Sequence, residues 1–376
     1  MNKAPDFRFA GNVIFRALLL FAAANLLFTL GDPLPALGRA SAYNLIFPGR
    51  QRLPYGEDPD RSYNLSLFTL EAMFASHAVS APKPAGEYRV LLIGDSSVWG
   101  TLLKPADTLA GKINAGNYTT RAGRKVRAHN LGYPIMSLAK DLLLLKTAMR
   151  YQPDMIVWLV TLESFPYDKQ LFPPLVQHNP GLTRSLITDY RLRLDLDDPA
   201  LVHESFWDRT LIGRRRALAD LLRLQLYGVM WAATGIDQDY PEKYERRQED
   251  FDVDYSFHDL QPPHLTAADL AFDILDAGHA LGGGVPVLVV NEPMFISRGK
   301  NSDIRYNFFY PRWAYDDYHR LLAERAEARG WHTLDLGDVI EGSEFTNSAV
   351  HLTPKGSAQL AALVGPAILE LANGGD

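Results

Sequence analysis

The chain has no cysteine among its 376 residues. That absence excludes disulfides, thiolate metal sites, iron–sulfur clusters and a cysteine nucleophile, so any covalent catalysis must run through an oxygen. It does not fix the compartment. Charge of one sign is also scarce: 38 Lys and Arg stand against 44 Asp and Glu, a net charge of −6. A mildly acidic balance argues against a nucleic-acid-binding surface. The only compact basic run is Arg214-Arg215-Arg216, read as a solvated or membrane-proximal helix face. No phosphate-cradling glycine loop, dinucleotide fingerprint or metal-ligand spacing occurs, so neither metal nor cofactor is expected. Glycine and proline do not dominate and charged residues make up 22%, which excludes collagen-like repeats and wholesale disorder. There is no convincing internal repeat and no low-complexity tract.

What is present is apolar sequence, 47% of the chain, in two kinds of run. The first is one long stretch, residues 12–30 (NVIFRALLLFAAANLLFTL), about the length a transmembrane helix requires. Arg16 lies within one or two turns of its end and can snorkel to headgroups, and Gly31-Asp32-Pro33 stops the helix. A cleaved signal peptide is the rival reading, because Lys3 and Arg8 precede the apolar core. The length of that core and the poor cleavage site at its end favour a retained anchor. The expected layout is a cytoplasmic tail (1–11), an anchor (12–30), an extended juxtamembrane segment (31–85) and a main domain (86–376) outside the cytoplasm. A second stretch, 218–236 (LADLLRLQLYGVMWAATGI), is broken by Asp220, Arg223 and Gln225. It reads either as an amphipathic helix on the membrane or a partner, or as a helix packed on the main domain.

From Gly86 onward the apolar runs are short. Candidate strands are 89–93, 125–130, 155–160, 285–290 and 332–336, with helical patterns at 138–150, 267–281 and 315–329. Continuous apolar strands alternating with helices predict a doubly wound α/β domain around a parallel sheet. Residues 166–260 are too long for an ordinary connection and read as an insertion with its own helices.

In such sheets, sites form beyond the carboxyl ends of the strands. Polar groups recur there: Gly94-Asp95-Ser96-Ser97 after the first, Asn130-Leu131-Gly132 ending the second, and Thr161-Leu162-Glu163-Ser164 after the third. Asn291-Glu292-Pro293 follows the fourth, and His351-Leu352-Thr353-Pro354-Lys355-Gly356 opens the last helix beyond the fifth. A turn with glycines at 94 and 100 can lift the Ser96 hydroxyl into a cleft and free backbone N–H groups for an oxyanion. A serine needs a base, and His351 is the best candidate because Thr353 can cap the final helix and Pro354 suits its first turn. His264 is a rival base, since His264-Leu265-Thr266 also precedes a helical pattern and Asp269 completes a possible capping box. Asn291 and Glu292 could bind a sugar or position a water. Residues 298–313 mix aromatics with Arg305 and Arg312, which suits either a substrate loop or a packed connector.

Ile93-Gly94-Asp95-Ser96 with Gly100 resembles the first block of the SGNH (GDSL-like) hydrolases and acyltransferases, and His351-Leu352-Thr353-Pro354-Lys355-Gly356 resembles their last. The resemblance spans about 86–371, excluding the insertion. It implies a flavodoxin-like three-layer fold with a five-stranded parallel sheet, Ser96 as nucleophile and His351 as base. It also implies an oxyanion hole from the N–H of Ser96 and of the second block, where Ile135 stands near the usual glycine and Gly132 lies nearby. The chain departs from the pattern in two places. Thr161-Leu162-Glu163-Ser164 replaces the Gly-x-Asn-Asp of the third block, so the side-chain oxyanion donor is missing or Glu163 serves another end such as a substrate hydroxyl. Ser348 occupies the position of the Asp three residues before the histidine. Asn347 could then orient the imidazole through its amide oxygen, with Asp338 or Asp335 as alternatives, or the pair works as a dyad.

Anchored members of that superfamily, such as the D-alanyl-lipoteichoic acid biosynthesis protein, work beside multi-span membrane-bound O-acyltransferases. The implied partners are the membrane, an acyl donor, an envelope-glycan acceptor and such an acyltransferase. The expectation is therefore an acyl-serine enzyme that transfers acyl groups to an envelope glycan. An esterase acting on surface polysaccharide or lipid is the alternative, and a non-catalytic glycan-binding scaffold the third reading.

Overall fold

The protein is described from a computed structural model covering residues 7–56 and 60–374. Five parallel strands, β1 (Glu87–Ile93), β2 (Lys125–Asn130), β3 (Met155–Val160), β4 (Val287–Asn291) and β5 (His332–Asp335), form one sheet in the order β2-β1-β3-β4-β5. That is the doubly wound order 2-1-3-4-5, with its switch point between β1 and β3. Every residue of β3 and β4 is buried, as continuous apolar runs require when both faces are covered. Leu91, Ile93, Ile156, Trp158 and Val289 face one core layer, with the helices Leu138–Ala148, Phe272–Gly282 and Arg312–Arg329. Val90, Leu92, Val157, Leu159 and Val290 face the other, with Leu109–Ala115 and the final helix Pro354–Ala372. Strand alternation thus builds the three layers directly.

Among the described residues one helix, Phe7–Gly31, is long and apolar enough to cross a membrane. It begins before the apolar run 12–30, taking in part of the expected tail, whose first six residues lie outside those described. The segment 31–85 is not extended. It folds into the helices Leu34–Gly38 and Leu70–Ser76, and Leu53, Met73, Phe74 and Val79 sit fully inside the first core layer. Their spacing brings apolar side chains back to the domain, and hydrophobic burial outweighs the extended bias of the prolines and glycines.

Within residues 166–260, the expected insertion, the helix Arg215–Thr234 (hereafter the insertion helix) packs Leu224, Gly228 and Trp231 inward. A helix does not start at 267. Thr266 N–H and Oγ1 do donate to Asp269 Oδ2, both at 2.7 Å, but they close a turn, and the helix begins at Phe272. At the β2 edge of the sheet, beyond the bridge that Thr119 makes with Lys125, Asn114 pairs with the β2 backbone, its amide bonding Ala128 N–H and C=O at 2.8 Å each. That side chain covers an edge that would otherwise template strand addition.

Candidate active site

The chain leaves β1 through Gly94, whose φ of +155° favours glycine. A Cβ there would lie 2.7 Å from Val98 Cγ2 and 3.1 Å from the Leu159 carbonyl oxygen. The Gly94 carbonyl accepts Tyr133 N–H (3.0 Å) and Lys140 Nζ (2.8 Å), joining the ends of β1 and β2. Asp95 then caps the one-turn helix Ser96–Trp99, accepting Ser97 N–H at 2.7 Å. Ser96 is its first residue, so its N–H has no partner within the helix and is a ready oxyanion donor.

His351 arrives from the other end of the chain on a braced loop. Thr346 N–H donates to the His351 carbonyl at 2.8 Å, and Thr353 N–H donates to the Glu344 carbonyl at 2.8 Å. Thr353 Oγ1 caps the final helix by accepting Gly356 N–H at 3.1 Å. The imidazole Nε2 lies 2.8 Å from Ser96 Oγ, and Nδ1 lies 3.0 Å from Asn347 Oδ1. With Nδ1 protonated and donating to the amide oxygen, Nε2 carries the lone pair that faces the serine hydroxyl. That is the tautomer a general base needs.

The remaining candidates divide. Gly132 N–H donates to Asn130 Oδ1 at 3.0 Å, within a turn so tight that a Cβ would lie 2.4 Å from Trp99 N. Ile135 adopts φ +77°, a conformation that glycine takes easily and a β-branched residue rarely does. Asp338 is exposed, and the imidazole faces Asn347 instead. Asp335 is engaged elsewhere, with His319 and with Asn291 Nδ2 at 2.7 Å. His264, 75% exposed at its side chain, bonds Asp317 at 3.2 Å rather than Ser96.

Asn291 is buried and bonds Tyr315, Tyr318 and Asp335, so it holds β4 to its neighbours rather than facing a substrate. Glu163 is buried in contact with Lys169 and with His258 Nε2 at 3.2 Å. Its hydrogen bond raises the His258 pKa above the usual imidazole range, against the opposing effect of burial. Arg305 donates to the carbonyls of Asn307, Asp254, Ser256, Phe308 and Phe309 and to the Asp254 carboxylate. Its guanidinium therefore builds a packed connector, not a substrate loop.

Glu292 meets the Ser96–Trp99 turn at Ser97. It is buried and accepts the Ser97 hydroxyl. Burial, followed by the Asp95 charge beside it, pushes its pKa well above the usual carboxylate range. A neutral carboxylic acid beside the capping carboxylate avoids placing two buried negative charges together.

Two buried ion pairs brace the site from outside its motifs. Lys140 Nζ, fully buried, bridges the Gly94 and Tyr133 carbonyls at 2.8 and 2.7 Å and pairs with Asp141 at 2.6 Å. Burial raises Asp141 to about 6 despite that ammonium. Arg52 and Asp237 form a buried bidentate pair at 2.7 and 2.6 Å. The same guanidinium donates to the carbonyls of Trp99, Gly100 and Leu103, clasping the chain just past Ser96. A Lys-Asp pair inside the apolar helix Leu138–Ala148 is a sequence signal. Arg52 and Asp237 stand far apart in the chain and give none.

A cavity of about 650 Å³ lies off the β2 edge between the loop 44–49 and residues 105–114, and neither Ser96 nor His351 lines it.

No protein-family model matches the chain, and no curated protein matches it. Solved structures of distantly similar shape include a carbohydrate acetylesterase family member from Sinorhizobium meliloti, at 12% identity and TM-score 0.33, covering 76% of this chain and 99% of that one. Another is a protein assigned to the lipolytic G-D-S-L family from Desulfitobacterium hafniense DCB-2, at 9% identity and TM-score 0.33, covering 74% of this chain and 98% of that one. These overlaps are loose, and the fold and site rest on the strand order and side-chain geometry given above.

Proposed function

We propose that the chain is a membrane-anchored SGNH-type serine O-acyltransferase that modifies a cell-envelope glycan or polymer through an acyl-Ser96 intermediate. The observation that carries it is the contact of Ser96 Oγ with His351 Nε2 at 2.8 Å, with Nδ1 held by Asn347 at 3.0 Å. In this reading His351 takes the Ser96 proton as Oγ attacks the acyl carbonyl of the donor. The Ser96 N–H receives the oxyanion, and the imidazolium returns the proton to the leaving group. A glycan hydroxyl then repeats the sequence on the acyl-enzyme, transferring its own proton to Nε2, and Ser96 is regenerated. Asn347 orients the imidazole through both steps and carries no charge of its own.

The helix Phe7–Gly31 supports the anchored half of the reading. The reading further places the domain outside the cytoplasm and takes a multi-span acyltransferase as the source of the acyl group. Trapping with a serine-reactive fluorophosphonate followed by peptide mapping tests the chemistry. An adduct on Ser96 that is lost in Ser96→Ala supports an acyl-serine enzyme, and its absence from the folded protein refutes one. With an acyl ester as donor, acyl transfer to added glycan supports the transferase. Release of free acid regardless of glycan assigns the site to an esterase, and envelope acylation unchanged by Ser96→Ala leaves a scaffold.

A further inference from the structure

Residues 206–236 carry an apolar surface that the fold leaves uncovered. One face of the insertion helix is fully engaged. Tyr43 Oη donates to the Leu224 carbonyl at 3.0 Å, Gln225 Oε1 accepts Ala42 N–H at 2.8 Å, and a Cβ on Gly228 would lie 2.4 Å from Tyr43 Oη. On the opposite face, at three- and four-residue spacing, stand Leu222, Leu226, Val229 and Met230, 63, 53, 57 and 44% exposed. A helix that is apolar on its outward face is built for something other than water. The turn before it exposes Phe206, Trp207 and Ile212 in the same way, and Arg209, Arg215 and Arg216 flank them.

A separate contact sets the level of this surface. Ile212 N–H donates to Asn25 Oδ1 at 3.3 Å, and Asn25 and Thr29 are the buried residues of the anchor helix. Asn25 lies six residues before Gly31, about 9 Å along a helix axis. The turn is therefore bonded to the anchor below its outer end. When that helix spans a bilayer, a segment joined to it at this depth lies in the headgroup region or beneath it.

We infer that residues 206–236 form a second membrane contact, a foot lying in the leaflet that the carboxyl end of the anchor helix reaches. Leu222, Leu226, Val229 and Met230 face the acyl-chain boundary. Trp207 and the three arginines sit at the headgroups, where an amphipathic ring and a cation facing anionic phosphate are each favoured. The occupant is lipid because the surface is continuous with the anchor and its apolar and basic groups match the depth of a bilayer interface. The inference rests on the anchored reading of Phe7–Gly31 and is independent of the acyl chemistry.

The absence of cysteine makes the test direct. Single substitutions Leu226→Cys and Val229→Cys in the full chain accept a fluorophore. Leu20→Cys in the anchor and Lys146→Cys on the exposed side of the domain serve as references. The labelled proteins are placed in nanodiscs of phosphatidylcholine and phosphatidylglycerol, then quenched with nitroxide lipids and, separately, with aqueous iodide. Labels at 226 and 229 are expected to lose fluorescence to nitroxide lipids, as at 20, and to resist iodide, whereas the label at 146 does the reverse. Iodide access at 226 and 229 equal to that at 146, with 20 quenched by lipid, overturns the foot while keeping the anchor. Protection from iodide without nitroxide quenching also overturns it and assigns the face to a second copy of the chain. A label at 20 that is open to iodide removes the anchor and the foot together.

Discussion

Replacing Arg52 with methionine should destabilise the whole domain and loosen the turn that carries Ser96. Arg52 and Asp237 are both almost fully buried and joined by two hydrogen bonds, so removing one leaves the other a buried charge without its counter-ion, held only by neutral partners such as the Tyr240 hydroxyl. Such a loss costs about 3–5 kcal/mol, a large share of the roughly 5–15 kcal/mol by which a folded domain exceeds its unfolded state. At about 2.1 cal/mol/K of unfolding entropy per residue, this corresponds to a fall in Tm of roughly 4–7 °C. Asp237→Leu should do the same. The double variant should lose much less than the two losses added together. Removing both charges leaves no unpaired ion, and the three carbonyls that Arg52 serves have second donors. Gln238 Nε2 bonds Gly100 and Leu103 at 2.8 and 2.9 Å, and Asn130 Nδ2 bonds Trp99 at 3.3 Å. The assay is thermal unfolding of the full chain in detergent micelles, paired with the rate of fluorophosphonate labelling at Ser96. Single-variant shifts below roughly 1 °C, equivalent to under about 1 kcal/mol, would refute the reasoning, as would a double variant whose loss equals the sum.

Further outcomes are expected at three positions. Asn347→Ala should slow labelling of Ser96 by about 10- to 100-fold. Asn347→Asp should move the acid limb of the labelling rate to higher pH, because a carboxylate on Nδ1 raises the imidazole pKa; an unmoved limb would remove Asn347 from the site. Glu292→Gln imitates the neutral acid. Because the Glu292 pKa is raised in the fold, its favourable contribution is present below the unfolded value near 4.5 and is lost as pH rises through the folded one. The variant's stability relative to wild type should accordingly grow with pH, as urea titrations at pH 5 and 8 would show, and a gap that shrinks refutes a neutral Glu292. Burial lowers His77 to about 3, so the neutral imidazole contributes stability above 6.5 that is lost as pH falls towards 3. His77→Gln, if it folds, should remove up to about 1.4 kcal/mol per pH unit from the slope of stability between those values; an unchanged slope would contradict a neutral buried His77.

The sheet is legible in the sequence because both of its faces are covered. Strands such as MIVWLV can then be apolar throughout, and polar residues appear only where they end. Ser96 and His351 are legible for a related reason: each sits where an apolar run gives way to a glycine turn or a capped helix, which is a local pattern. Asn347 is visible as an amide beside the position the SGNH pattern would fill with Asp. The rest depends on tertiary pairing. Arg305 in an aromatic-rich run suits a binding loop as well as a connector, and only the carbonyls that surround it in the fold decide between them. The start of the helix at Phe272 is hidden because Thr266 and Asp269 make the same side-chain contact in a turn as in a capping box. Arg52 and Asp237 resemble any surface pair until the chain brings them together.

In the anchored reading proposed above, the short connection between the helix Phe7–Gly31 and the domain also sets the reach of the active site. After Gly31 only Asp32 and Pro33 intervene before Leu34–Gly38 packs on Leu70–Ser76, and the chain then enters the core. An enzyme on a loose tether sweeps a hemisphere of substrate, whereas one with so little slack holds its catalytic serine at a single height above the bilayer. On the proposed acyltransferase reading, acyl donor and acceptor polymer would both have to be delivered to that plane, and a flexible spacer inserted after Asp32 should broaden the range of polymer depths at which acyl groups are found.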